Sequence, residues 1–156
     1  ISYTSVPQLE ILKQYKDNNE ISKITLITGA SGNIFPTWDE VFLTQKYINQ
    51  MEYDMRFAYN YALKYADEII ITTNDSGNND IDELLFKQES LIKDKIKYKV
   101  IKSRYDAIVY ALNKIESKEV IFISGRANRE LICENNKIKR HLDKDVVMKQ
   151  MNGGEQ

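Results

Sequence analysis

Ile24-Thr25-Leu26-Ile27-Thr28-Gly29 and Ile69-Ile70-Ile71-Thr72-Thr73 followed by Asn74-Asp75-Ser76-Gly77 decide the fold. Both are short β-branched runs closed by turn residues, too short for buried helices. Val120-Ile121-Phe122-Ile123, closed by Ser124-Gly125, is a third of the same kind, and Tyr98-Lys99-Val100-Ile101 is a weaker fourth. Runs with no polar alternation suit central strands of a parallel sheet, covered on both faces.

Helical spacing fills the gaps between these runs. Val6 to Lys16, Thr44 to Tyr65, Ile81 to Ile92 and Ala107 to Ile115 each repeat apolar residues every three or four positions. Asp80 is the expected N-cap of the third helix, and Ser103 or Asp106 of the fourth. Leu131-Ile132-Cys133, Glu134-Asn135-Asn136 and Ile138-Lys139-Arg140 read as a hairpin, and Asp143 to Met151 as a last short helix. This alternation predicts an α/β fold. It is a Rossmann-like, doubly wound, mostly parallel sheet, to which the C-terminal hairpin adds an antiparallel edge. Ligands of such sheets sit at the carboxyl ends of the strands. Three loops therefore matter: Gly29 to Pro36, Asn74 to Asp80 and Ser124 to Arg129.

The 156 residues fit a single domain over 1–151, with Asn152 to Gln156 as a flexible tail. Twenty-two basic and 23 acidic side chains leave a net charge of −1, so no global footprint for nucleic acid exists. One cysteine, Cys133, excludes an internal disulfide framework, and a reducing cytoplasm is the expected compartment. No apolar run approaches the length of a membrane span. The chain opens on Ile1 rather than methionine, and a fragment of a longer protein is the expectation.

Thr28-Gly29-Ala30-Ser31-Gly32-Asn33-Ile34-Phe35 also resembles the first turn of a nicotinamide-dependent reductase, and Tyr110 and Lys114 supply a Tyr-x-x-x-Lys pair. Phe35 occupies the third glycine position, and the next strand ends about 40 residues on, against about 20 for the ribose carboxylate. An NAD(P)-binding domain is therefore the weaker alternative. Arg126 and Arg129 sit where a carboxylate or phosphate can be gripped, or stand as solvated loop charges. His141 is the single histidine; it makes no metal site by itself, and a surface position is expected. Cys133 reads as a packing residue, the tyrosines Tyr53, Tyr59, Tyr61 and Tyr65 as a partly buried helix face, and Lys93 to Lys102 as a solvated basic stretch.

Taken in order, the loops and both ends resemble the C-terminal domain of Mur ligases of the MurE type. That family enters the domain with D-Y-A-H-x-P-D, and Ser2-Tyr3-Thr4-Ser5-Val6-Pro7-Gln8 stands in that place. Gly29-Ala30-Ser31-Gly32 matches its G-x-x-G, and the stretch from Asn33 to Asn49, with Trp38, Asp39 and Glu40, is longer than usual. Ala66-Asp67-Glu68-Ile69-Ile70-Ile71-Thr72 is similar to its A-D-x-V-I-x-T strand. Asn74-Asp75-Ser76-Gly77-Asn78-Asn79-Asp80 stands for its D-N-P-x-x-x-D loop, without the proline or the arginine of diaminopimelate-adding members. Arg104-Tyr105-Asp106-Ala107-Ile108 resembles D-R-x-x-A-I. The loop after Ile123 takes the place of G-K-G-x-E, whose glutamate falls at Asn128, or at Glu130 with a shift of two.

The resemblance implies the amino-acid-recognition and closure domain of an ATP-dependent ligase that extends UDP-MurNAc-dipeptide in bacterial peptidoglycan synthesis. It implies substrate contacts at Asn74, Asp75, Ser76, Gly77, Asn78, Arg126, Asn128 and Arg129, with Asp75 pairing a side-chain ammonium, so that lysine or another amino acid is favoured over diaminopimelate. Nucleotide proximity is implied for Ser2, Ser5, Gly29, Ser31, Gly32 and Asn33. ATP and magnesium belong mainly to a central domain carrying G-K-[ST], so the partners are the central and N-terminal domains of the same polypeptide. No catalytic residue is expected within this domain, which is inactive on its own. A non-catalytic relative acting as a binding module is the alternative, motivated by the departed aspartate, histidine and arginine positions.

Overall fold

The computed structural model describes residues 6–31, 45–77, 79–126, 128–135 and 137–153, of which 45–51 by backbone alone. Helices α1 (Val6–Asp17), α2 (Gln45–Tyr65), α3 (Ile81–Ile92), α4 (Arg104–Lys114) and α5 (Asp143–Met151) alternate with strands β1 (Lys23–Thr28), β2 (Glu68–Ile71), β3 (Lys97–Val100) and β4 (Glu119–Ile123). The four strands form one parallel sheet in the order β3-β2-β1-β4. The α/β alternation expected from the sequence is the architecture observed.

Side chains alternate across the pleat. Leu26, Ile69 and Ile71 face α2 and α3, where Tyr59, Ala62, Leu85 and Ile92 complete one core. Ile27 and Ile70 face the other way, onto Ala107, Ile108 and Ala111 of α4 and Val146 of α5. Full burial of each such aliphatic side chain contributes about 1.5–3 kcal/mol, and both faces of β1 and β2 gain it. The caps also follow the sequence. Asp80 accepts from the Glu83 N–H at 2.9 Å, and Ser103, the first of its two candidates, accepts from Asp106 at 3.2 Å.

Two expectations need correction. Strand β4 is an edge strand, only partly buried along its length, and pairs with β1 alone. Its apolar run therefore does not mark a central position. The hairpin, β5 (Leu131–Glu134) and β6 (Lys137–Arg140), forms its own two-stranded sheet rather than extending the parallel one. It docks by Ile132, which is 1% exposed, and by hydrogen bonds to the loop after β2. Asn135 makes its turn with φ of 50°, a conformation that asparagine tolerates well.

The tyrosines divide rather than share one fate. Tyr59 and Tyr65 are buried, while Tyr53 is exposed. Tyr53, Phe57, Tyr61 and Tyr65 follow one another along α2 at i, i+4 spacing, the outer two pairs stacked and Phe57 tilted against Tyr61.

Candidate functional site

The loops after β1, β2 and β4 meet at the carboxyl end of the sheet. Their approach is so close that a Cβ on Gly29 would overlap the carbonyl oxygen of Thr72 and press on the backbone of Thr73 and Asn74. Gly125, at φ +108°, makes the turn out of β4 in a conformation open chiefly to glycine. Its carbonyl accepts from Asn74 Nδ2 at 3.3 Å.

Asp75 is the hub of this end. Its Oδ1 accepts from Arg126 Nη1 at 2.9 Å and from the backbone N–H of Cys133 at 3.0 Å, and its Oδ2 accepts from Arg129 Nη1 at 3.3 Å. Burial pushes its carboxyl up, but the Cys133 N–H and the Arg126 guanidinium outweigh that, and it titrates below the usual carboxylate range. Arg126 is 1% exposed. It also donates to Asn74 Oδ1 at 3.2 Å and to the carbonyl of Leu131. Its Nε is buried without a partner among the described residues. Arg129, by contrast, keeps 64% of its side chain exposed.

The hairpin is fastened to the same loop. Ser76 N–H donates to Cys133 O at 2.9 Å, Asn135 N–H donates to Ser76 Oγ at 3.4 Å, and Thr73 Oγ1 donates to Glu134 Oε1 at 2.9 Å. Gly77 turns the chain at φ 56°. On the other side, buried Gln88 of α3 accepts from Ala30 N–H at 2.7 Å and from Tyr59 OH at 2.6 Å. That arrangement holds the start of the glycine loop.

A second buried cation supports the site from beneath. Arg104, 1% exposed, grips Asp143 through Nε at 2.8 Å and Nη2 at 2.7 Å, and donates to the carbonyls of Ser124 at 3.0 Å and Thr73 at 3.4 Å. His141 Nε2 lies 2.8 Å from Asp143 Oδ1 with its side chain 9% exposed. The expected surface position of His141 is thus wrong: the short segment between the hairpin and α5 folds it inward. Burial raises the Asp143 carboxyl, yet Arg104 and His141 together hold it far below the ordinary range.

The structure therefore gathers Asn74, Asp75, Ser76, Gly77, Arg126 and Arg129 around one hub and brings Gly29 against them. Ser31 and Asn128 are exposed at the rim. Ser2, Ser5, Gly32, Asn33 and Asn78 lie outside the described residues, as does most of the Asn33 to Asn49 stretch. Arg104, Asp143 and Gln88 are supports that residue spacing did not reveal. The ammonium pairing expected of Asp75 meets a different geometry, since both of its oxygens are already engaged.

Tyr110 and Lys114 belong elsewhere. They share a recess with Lys23 and Glu119, the first residues of β1 and β4. Gly29 follows the last residue of β1, so the pair stands at the opposite end of the sheet from the glycine loop. It cannot act on a nicotinamide bound there.

No family model matches the chain. It is 26% identical over 91 residues to the UDP-N-acetylmuramoyl-L-alanyl-D-glutamate--2,6-diaminopimelate ligase of Buchnera aphidicola subsp. Baizongia pistaciae (strain Bp), a match over 58% of this chain and 18% of that enzyme. A solved structure of a UDP-N-acetylmuramoyl-L-alanyl-D-glutamate--2,6-diaminopimelate ligase superposes with a TM-score of 0.73 at 13% identity, over 94% of this chain and 27% of that one. At that identity the second likeness is one of fold. The chain spans between about a fifth and about a quarter of the relatives it matches. Both likenesses are to ligases of the same name, and the chain resembles a partial segment of a MurE-type Mur ligase, consistent with a C-terminal domain.

Proposed function

We propose that this chain is the C-terminal domain of an ATP-dependent Mur-type ligase that adds an amino acid to UDP-MurNAc-dipeptide in the bacterial cytoplasm. The observation that carries the reading is the gathering of Arg126 and Arg129 on Asp75, at the sheet end where such folds bind ligands. Asp75 and Asn74 fix the buried guanidinium, and Arg129 offers its remaining donors to solvent. Arg129 takes the carboxylate of the incoming amino acid in a fork-shaped contact, which leaves the amine free to attack. Holding one end of the nucleophile in this way supplies orientation, the chief service a closing domain gives a two-substrate reaction.

Among the described residues no three carboxylate, histidine or cysteine side chains gather to hold a metal. The Ala30 N–H is spent on Gln88. We place ATP and magnesium on the central domain of the same polypeptide, with this domain closing over them to exclude water. The chain on its own is then inactive. Both relatives are diaminopimelate ligases by name, while the Asn74 to Asp80 loop lacks the arginine of such members. The amino acid added here is lysine or another with no second carboxylate to hold.

One observation favours a second reading, a non-catalytic binding module on the same fold. Asp75 is fully engaged within the chain, so the hub reads equally as a rigid brace. The full polypeptide, supplied with ATP, magnesium, UDP-MurNAc-dipeptide and a panel of amino acids, separates the two. Release of ADP dependent on one amino acid supports the ligase, and no release with any of them supports the module.

A further inference from the structure

Helix α5 runs out into Asn152-Gly153. Gly153 takes φ of 75°, the left-handed turn with which glycine commonly closes a helix. Of the chain's asparagines, Asn152 alone is followed by glycine. The lack of a Cβ that suits Gly153 to the turn also bares its backbone nitrogen, and the space where a Cβ would stand is open for 4 Å around. Both residues are exposed.

Asparagine, one of the heat-labile residues, carries an amide carbon that the next backbone nitrogen can reach by closing a five-membered ring. Inside a helix the next N–H is tied to the preceding turn and cannot attack. Here the tie is weak. The Gly153 N–H reaches the Gln150 carbonyl only at 3.4 Å, and the firmer bond, from Asn152 N–H to the Met148 carbonyl at 3.0 Å, lies one residue back. The Asn152 side chain makes no hydrogen bond among the described residues, so nothing there holds its amide away. Helix ends also fray at almost no cost in free energy. Asn74 is the contrast: it is 4% exposed, and its side-chain amide bonds both Gly125 and Arg126.

We propose that Asn152 is a site of spontaneous deamidation, driven by the backbone nitrogen of Gly153. That nitrogen attacks the Asn152 amide carbon. A nitrogen–carbon bond forms, the bond to Nδ2 breaks, and Nδ2 leaves as ammonia with the proton of the Gly153 N–H. Water then opens the cyclic imide at either carbonyl, leaving aspartate or isoaspartate. The net change is hydrolysis of an amide to a carboxylate and ammonia. It adds one negative charge to a chain of net charge −1, at the carboxyl end of α5, where the helix dipole disfavours an anion. The site shares no residue with the loops after β1, β2 and β4, so it stands or falls independently of the ligase reading.

Incubation of the intact protein at mildly alkaline pH, followed by mass spectrometry of the tryptic peptide that begins at Gln150, tests the assignment. The expected result is conversion at Asn152 ahead of every other asparagine, with release of ammonia and a mixture of isoaspartate and aspartate. Because the helix end protects it so little, the rate should fall within about fivefold of that of an unstructured synthetic peptide spanning Lys149 to Gly154. Asn152→Gln should abolish conversion at this position, since its longer side chain closes a larger ring, and Gly153→Ala should slow it at least fivefold. Both positions are exposed, and circular dichroism verifies that each variant is folded. A rate slower than the peptide's by more than that margin would overturn the proposal, as would conversion that begins at another asparagine or proceeds unchanged in Gly153→Ala.

Discussion

The guanidinium of Arg126 lies buried 2.9 Å from the carboxylate of Asp75, joining the loop after β4 to the loop after β2 across the end of β1. A cation enclosed to this degree depends on its partner: removing one member of a buried pair leaves the other charged and unsolvated, at a cost of about 3–5 kcal/mol. Asn74 and Leu131 continue to accept from Arg126 when Asp75 is changed, so Asp75→Asn should cost less, about 2–3 kcal/mol. Arg129→Gln breaks a contact that is mostly in solvent and should cost under about 1 kcal/mol. Urea unfolding of the two variants measures the difference.

Gly29→Ala should destabilise more than its size suggests. The added methyl group meets the backbone carbonyl of Thr72, which cannot turn aside as a flexible side chain would. Relief requires β1 and the loop after β2 to part, at about 2–4 kcal/mol, judged from the cost of overpacking elsewhere. Gly125→Ala adds left-handed strain of about 1–3 kcal/mol and crowds Asn74 Nδ2 at 3.1 Å. Thermal unfolding should show both, with Tm lower by roughly 4–12 °C in a domain this size.

Acid should loosen this end of the sheet. Asp75 and Asp143 both titrate below the ordinary carboxylate range in the folded chain. A depressed folded value means that the unfolded chain takes up protons first as pH falls. Their contribution is complete above the unfolded carboxyl value of about 4 and fades below it. Denaturant midpoints measured from pH 6 down to pH 2 should fall, and Asp143→Asn should flatten part of that slope.

Gln88→Leu keeps the size of the side chain and removes its polar atoms. The Tyr59 hydroxyl and the Ala30 N–H both lose their acceptor. Leaving a buried donor unsatisfied costs about 1–3 kcal/mol, so a loss of about 2–4 kcal/mol is expected. Faster hydrogen exchange at Ala30 should accompany it, because that amide is then released.

What the sequence made legible follows from the range of each interaction. The cores of β1 and β2, and the caps Asp80 and Ser103, depend on residues close in the chain, and these were readable from pattern. Alternation also placed the loops after β1, β2 and β4 at one end. Which arginine turns inward depended on contacts more than 50 residues apart, such as Arg126 with Asp75, and no local pattern encodes that choice. The pairing of Arg104 with Asp143, and the burial of His141 beside it, were hidden for the same reason. The apolar run of β4 misled because this edge strand carries a central strand's composition while staying partly buried, and the hairpin's own sheet required side-chain tethers at Thr73 and Ser76.

The most direct test of the ligase reading is product formation by the full polypeptide. UDP-MurNAc-dipeptide, ATP, magnesium and an amino-acid panel are incubated with the parent protein and with Arg129→Gln, and the nucleotide product is weighed by mass spectrometry. The account predicts a mass increase by one amino-acid residue in the parent. In Arg129→Gln it predicts a KM for that amino acid raised by about tenfold or more, the cost of about 1.4 kcal/mol of lost carboxylate binding, with the nucleotide-peptide KM unchanged. No added residue with any amino acid, or an Arg129→Gln variant with an unaltered KM, would contradict it.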